Sequence, residues 1–151
     1  MLFYTGITRD ASSVLQDAKR RLNESQDTRN AVSGLVELAF KMRDAFTNGR
    51  INRLGPLFLA GWELKKQMSP AVTTGVLNGY YSRAIRAGAG GGKISGAGGG
   101  GCLLLYVPPG KRSQVRSRLK GAGLTEITFG CEPEGSRILY YDHERTPGPR
   151  D

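Results

Sequence analysis

The sequence predicts an α+β domain, a mainly antiparallel sheet with helices packed on one face. Three observations predict it. Leu2–Ile7 and Cys102–Val107 are short apolar runs of strand length. Between them lie four segments whose apolar residues recur at three- and four-residue spacing, the mark of helices with one buried face. After Val107 the order is helix, strand, strand, so strands and helices do not alternate regularly as they would around a parallel sheet.

Each element has a local reason. Asp10 or Ser12 caps a first helix striped by Ala11, Val14, Leu15, Ala18 and Leu22. A polar stretch, Asn23 to Asn30, separates it from a second helix with Leu35, Leu38, Ala39, Met42 and Phe46, which Asn48-Gly49 suits as an end. A third runs from Asn52 to Met68 with Leu54, Leu57, Phe58, Gly61 and Leu64 facing in and Pro56 near its first turns. Ser69-Pro70 ends it and opens a fourth, carrying Val76, Leu77, Tyr80, Tyr81, Ala84 and Ile85. Pro108-Pro109-Gly110 breaks the strand Cys102–Val107, and a helix with Val115 and Leu119 follows, stopped by Gly121 and Gly123. Leu124–Gly130 and Arg137–Tyr141 read as strands joined at Glu132-Pro133-Glu134-Gly135. The domain is expected over 1–142, with a disordered tail over 143–151.

The length of 151 residues suits one domain. The formal charge of +9 favours an anionic partner, a small phosphorylated molecule or a nucleic acid. The basic residues are scattered and match no nucleic-acid module, so a nucleic-acid role ranks last. No segment approaches a membrane span, and the N-terminus has no signal-peptide pattern. Cys102 and Cys131 both fall in apolar runs and are expected to be buried, reduced thiols of a cytoplasmic protein. The single histidine, His143, lies in a polar tail, and no metal site is expected in this chain.

Nine of the fourteen residues from Gly88 to Gly101 are glycine. Such density costs backbone entropy, on the order of 1 kcal/mol per residue in regular structure, and serves where side chains would collide. The run leads directly into an apolar strand, which argues against a flexible linker. Gly96–Gly101 satisfies G-x-G-x-x-G, but a helix precedes it and a strand follows, the reverse of the dinucleotide-binding context. The P-loop pattern fails because Ile94 follows Lys93. What remains is a helix, glycine loop and strand whose backbone amides can face an anion, with Lys93 and Ser95 at the edge.

Gly91 to Tyr106 closely resembles the third motif of the GHMP small-molecule kinases, which include galactokinase, homoserine kinase, mevalonate kinase and phosphomevalonate kinase. Leu2–Arg9 and Phe58–Lys66 look like the branch that phosphorylates heptose 7-phosphate, the D-glycero-D-manno-heptose 7-phosphate kinases. The resemblance runs from Leu2 to about Asp142 and implies a ferredoxin-like C-terminal domain. It also implies that the phosphate loop, adenine pocket, magnesium-binding acid and catalytic aspartate belong to an N-terminal domain, supplied in cis or in trans, that this sequence does not contain.

The implied site takes Lys93, Ser95, Gly96, Ala97, Gly98, Gly99 and Gly100 to the nucleotide side, and Thr5, Thr8, Arg9, Lys65 and Lys66 to the sugar phosphate. An arginine at a helix start suits a phosphate monoester by paired hydrogen bonds. Lys65 and Lys66 also complement a helix C-terminus without any ligand, and Trp62 reads as core. No residue is placed as catalytic. ATP and Mg2+ are the cofactors of the complete enzyme, and the chain alone is expected to be inactive. The rival reading is a non-catalytic phosphometabolite-binding or assembly module. Without its partner domain the chain is expected to expose an apolar patch near the glycine loop and to self-associate.

Overall fold

A computed structural model describes residues 1–132 and 134–137. The elements run β1 (Leu2–Tyr4), α1 (Ala11–Glu24), α2 (Gln26–Thr47), α3 (Leu54–Met68), α4 (Gly75–Arg86), β2 (Gly91–Ile94), β3 (Cys102–Tyr106), α5 (Arg112–Lys120) and β4 (Thr125–Ile127). The sheet order is β2-β3-β1-β4 with every neighbouring pair antiparallel. Two split β-α-β units interleave, β1 to β2 and β3 to β4, which is the ferredoxin-like arrangement.

The α+β prediction holds, with the helices nearest the sheet on one face. Phe3, Ile94, Leu103 and Leu105 are buried on that face against Trp62, Leu77, Tyr81, Val115 and Leu119 from α3, α4 and α5. Cys102, Leu104 and Tyr106 alternate with them and are only half-buried. Glu126, on edge strand β4, is held by a paired hydrogen bond from Arg116 on α5 at 2.6 and 3.0 Å, with Lys120 at 3.6 Å. A fixed charge on an edge strand discourages pairing with another sheet.

Several sequence expectations need correction. β2 lies inside the glycine run, where composition gives no strand signal; its hairpin pairing with β3 makes it a strand. α2 begins at Gln26, because Ser25 breaks the backbone and accepts a hydrogen bond from the Thr28 amide, so the polar stretch is mostly helix. Ser69-Pro70 opens only a single 3-10 turn, Pro70–Val72, and Thr74 caps α4 instead. Leu15 and Phe46 are each 59% exposed, since α1 and α2 lie outside α3 and meet the core through few residues. Cys131 is exposed beyond β4 and Cys102 is half-buried, so neither is a fully buried thiol. The predicted strand Leu124–Gly130 shortens to Thr125–Ile127. The strand expected over 137–141, Arg137 apart, and the tail over 143–151 lie outside the described residues.

α3 meets β2 backbone to backbone. A Cβ on Gly91, whose φ is +155°, would stand 2.1 Å from the carbonyl oxygen of Gly55 and 2.9 Å from the Leu59 amide. The substitution G91A therefore must push α3 off the sheet. Urea unfolding is expected to show a loss of about 3 kcal/mol, the upper range for overpacking. By contrast, a Cβ on Gly79 within α4 meets nothing within 4 Å. G79A is expected to gain about 0.5–1 kcal/mol by removing a helix-interior glycine. Equal effects from the two substitutions would contradict this packing.

Candidate functional site

The glycine loop, residues 95–101, joins β2 to β3 and is tied down from three sides. The Ser95 amide donates to Cys102 O at 2.8 Å and extends the hairpin. The Gly99 amide donates to Val72 O at 2.7 Å, and the Gly101 amide to Ile7 O at 2.8 Å. Gly101 O in turn accepts from the Thr5 amide at 3.0 Å and the Thr5 hydroxyl at 2.7 Å. From α3, Lys65 Nζ donates to Gly96 O at 2.6 Å and to Ile94 O at 3.3 Å.

These contacts explain the missing side chains. A Cβ on Gly98 would lie 2.7 Å from Val72 O, and one on Gly100 would lie 2.5 Å from Ile7 O. Neither carbonyl can yield without losing a hydrogen bond to the loop. Gly98 and Gly99 also take φ of +108° and +75°, which L side chains resist.

The same accounting leaves a set of donors over. Among the described residues, the amides of Gly96, Ala97, Gly98 and Gly100 donate to no protein acceptor, and of these only Gly100 is buried. Gly96 is exposed, whereas Ala97 and Gly98 are half-buried and the Ala97 side chain packs against the core. Arg9 lays its stem across Gly99, since a Cβ there would meet Arg9 Cδ at 2.7 Å. Lys93 is exposed on β2. Burial first, and then the Lys93 charge, lowers the Lys65 ammonium below its ordinary 10.5. Arg9, Lys65 and Lys93 form no ion pair among the described residues. Unpaired cations around unpaired amides make a surface for phosphate or another oxyanion.

The predicted residues thus separate by role. Gly96, Ala97 and Gly98 present donors, whereas Gly99 and Gly100 make close contacts that hold the loop. Thr5 is buried and its hydroxyl is committed to Gly101 O, so it braces the loop. Lys65 does the same from α3. Thr8 and Arg9 are exposed beside the loop, and Ser95 is half-buried. Lys66 pairs with Glu63 at 2.8 Å. Trp62 is 1% exposed and stacks on Tyr81 at 5.7 Å, as core packing requires. Val72 was not legible as a site residue, because its contribution is a backbone carbonyl.

Val72 is itself held in place. Its amide donates to Ser69 O at 3.2 Å, and the Ser69 hydroxyl accepts from the Ala71 amide while donating to Asp17 of α1. Asp17 also accepts from Arg20 and Arg21.

The model of the C-terminal domain of GHMP kinases matches residues 42–123. The chain belongs to the GHMP kinase C-terminal family. Over 120 residues, 80% of the domain, it is 31% identical to a D-glycero-alpha-D-manno-heptose 7-phosphate kinase of Campylobacter jejuni. Over 141 residues, 89% of the domain, it is 31% identical to a mevalonate kinase of Thermococcus sibiricus. These matches cover 35% and 41% of those relatives, so the chain spans well under half the length of either. Among solved structures, a Streptococcus pneumoniae phosphomevalonate kinase in complex with phosphomevalonate and AMPPNP superposes with a TM-score of 0.72 at 19% identity. That superposition covers 84% of the domain and 37% of the kinase, and it supports the shared fold. No helix among the described residues is long and apolar enough to cross a membrane.

The chain of contacts from Asp17 to Val72 gives a pH signature. The Ser69 hydroxyl, then Arg20 and Arg21, hold the Asp17 carboxyl at about 2, below its ordinary 3.8. A carboxylate with a depressed folded-state value stabilises above about pH 4, and that contribution is lost as pH falls through 4 towards 2. Thermal unfolding at pH 4.5 and pH 2.5 is expected to show a smaller acid loss in D17N than in the unsubstituted chain. Identical acid losses would remove Asp17 from the support of this turn.

Proposed function

We propose that this chain is the C-terminal domain of an ATP-dependent kinase that phosphorylates a phosphorylated sugar, with heptose 7-phosphate as the substrate. The observation that carries the reading is the pinned glycine loop, with undonated amides at Gly96, Ala97 and Gly98 that are not buried, flanked by Arg9 and Lys93. The heptose assignment draws support from the Campylobacter relative and from the segments Leu2–Arg9 and Phe58–Lys66.

The residues fit nucleotide phosphate. ATP would supply the transferable phosphoryl group. The amides of Gly96, Ala97 and Gly98 hold non-bridging oxygens, and Lys93 neutralises charge that grows as the group moves. Lys65 and Thr5 keep the loop from yielding. Thr8 and Arg9 hold the phosphate already on the sugar, Arg9 through its paired donors. Lys66 is committed to Glu63 and receives no ligand here.

The residues do not fit the metal. Among the described residues no three His, Cys, Asp or Glu side chains converge, and the loop is bordered by cations. Mg2+ ligands are therefore assigned to an N-terminal domain in cis or in trans, where the family resemblance also puts the catalytic base and the adenine pocket. A second reading, a phosphometabolite-binding module, has one observation in its favour. The loop's braces Thr5, Ile7, Lys65 and Val72 lie within this chain, so its donor set is held without help from a second domain.

The test is to express this domain joined to the coding sequence that precedes it in its genome and to assay ATP and Mg2+ with heptose 7-phosphate and with mevalonate. Turnover preferring heptose 7-phosphate is expected. K93Q is expected to lower kcat/KM by about 10–100-fold, the loss of one charged hydrogen bond at the transition state. Preference for mevalonate would overturn the sugar assignment. Absence of any turnover, with tight sugar-phosphate binding by the domain alone, would favour the second reading.

A further inference from the structure

A second cationic site lies away from the glycine loop. α4 and α5 border a groove of about 590 Å³ whose lining includes Arg83, Arg86, Gln114, Ser117 and Arg118, with no acidic residue. Arg83 and Arg86 occupy the last turn of α4, and Arg118 the last turn of α5. α4 runs into the start of β2, whereas the glycine loop leaves its other end, so the strand separates the two sites.

The groove's arginines differ from several others on the surface. Arg20, Arg21, Arg43, Arg116 and Arg137 each pair with a carboxylate. Arg83, Arg86 and Arg118 form no such pair among the described residues. α5 shows the contrast within one helix, for Arg116 and Lys120 reach Glu126 while Arg118 lines the groove. The helix dipoles offset part of the repulsion at each C-terminus, but they do not explain why two helices bring three guanidinium groups to one concavity. A fourth cation is held nearby. Lys111 packs its stem against Gly88, where a Cβ would stand 2.9 Å from Lys111 Cγ and Cδ.

We propose that this groove binds a small molecule carrying two or more phosphate groups. Guanidinium forks match phosphate oxygens in pairs, and Gln114 and Ser117 add neutral donors. The volume is that of a small-ligand cleft. No aromatic ring lines it, so it has no platform for stacked bases and does not suit single-stranded nucleic acid.

The experiment titrates inorganic tripolyphosphate into the isotope-labelled chain and follows backbone amide shifts by NMR. Gln114, Ser117 and Gly121 report the groove, and Gly96, Ala97 and Gly98 report the glycine loop, so failure at one site is distinct from failure at the other. Saturable shifts at the groove reporters are expected. R83Q/R118Q should weaken that binding at least tenfold, while R43Q leaves it unchanged. Shifts that do not saturate would overturn the proposal. So would an affinity untouched by R83Q/R118Q, or a polyglutamate peptide of equal charge binding the groove as tightly. The substituted side chains are exposed, and an unaltered unfolding midpoint confirms that lost binding is not lost fold.

Discussion

The crossing of α3 over β2 at Gly55 and Gly91 fixes the geometry on which the candidate site depends. Two backbones meet there with no room for a methyl group. From that contact α3 runs ten residues to Lys65, roughly 15 Å along a helix. β2 runs three residues to Ile94, roughly 10 Å along a strand. The two elements converge again where Lys65 grips the carbonyls of Ile94 and Gly96. A larger residue at the first contact would lift α3 and carry Lys65 away from the loop. The glycine run thus does two separate jobs, close packing at its start and donor presentation at its end.

The loop is stiff although its composition is that of a flexible linker. Its carbonyls and amides are spent on Thr5, Ile7, Lys65, Val72 and Cys102, which lie on four different parts of the chain. Ordering that backbone costs roughly 1–2 kcal/mol per residue, and the contacts offset it before any ligand arrives. Under the proposed function, a preformed set of donors spares anion binding a further ordering cost.

The fold class, and among the described residues five helices and three of the four strands, were legible because periodicity and glycine, proline and polar caps carry local information. β2 was not, because a glycine-rich segment becomes a strand only through its partner. The glycine loop was legible as a place where backbone must come close to something. What it approaches was not, because Val72 and Ile7 act through carbonyls that every residue possesses. Thr5, Arg9 and Lys65 were expected near the loop, but that Thr5 and Lys65 bond its carbonyls while Arg9 lies across Gly99 required coordinates. The outer faces of α1 and α2 misled the apolar pattern, since Leu15 and Phe46 sit at core spacing on helices that meet the core through few residues. The three arginines of the α4–α5 groove were read as scattered charge, because Arg83 and Arg86 lie far from Arg118 in sequence and give no sign there that they converge.

Amide hydrogen exchange across residues 95–101 of the isolated chain tests the central claim most directly. A pinned loop predicts slow exchange at Ser95, Gly99 and Gly101, whose amides are bonded, and fast exchange at Gly96, Ala97 and Gly98, whose amides are free for a ligand. Uniformly fast exchange along the whole segment would show a loose connector and contradict the account.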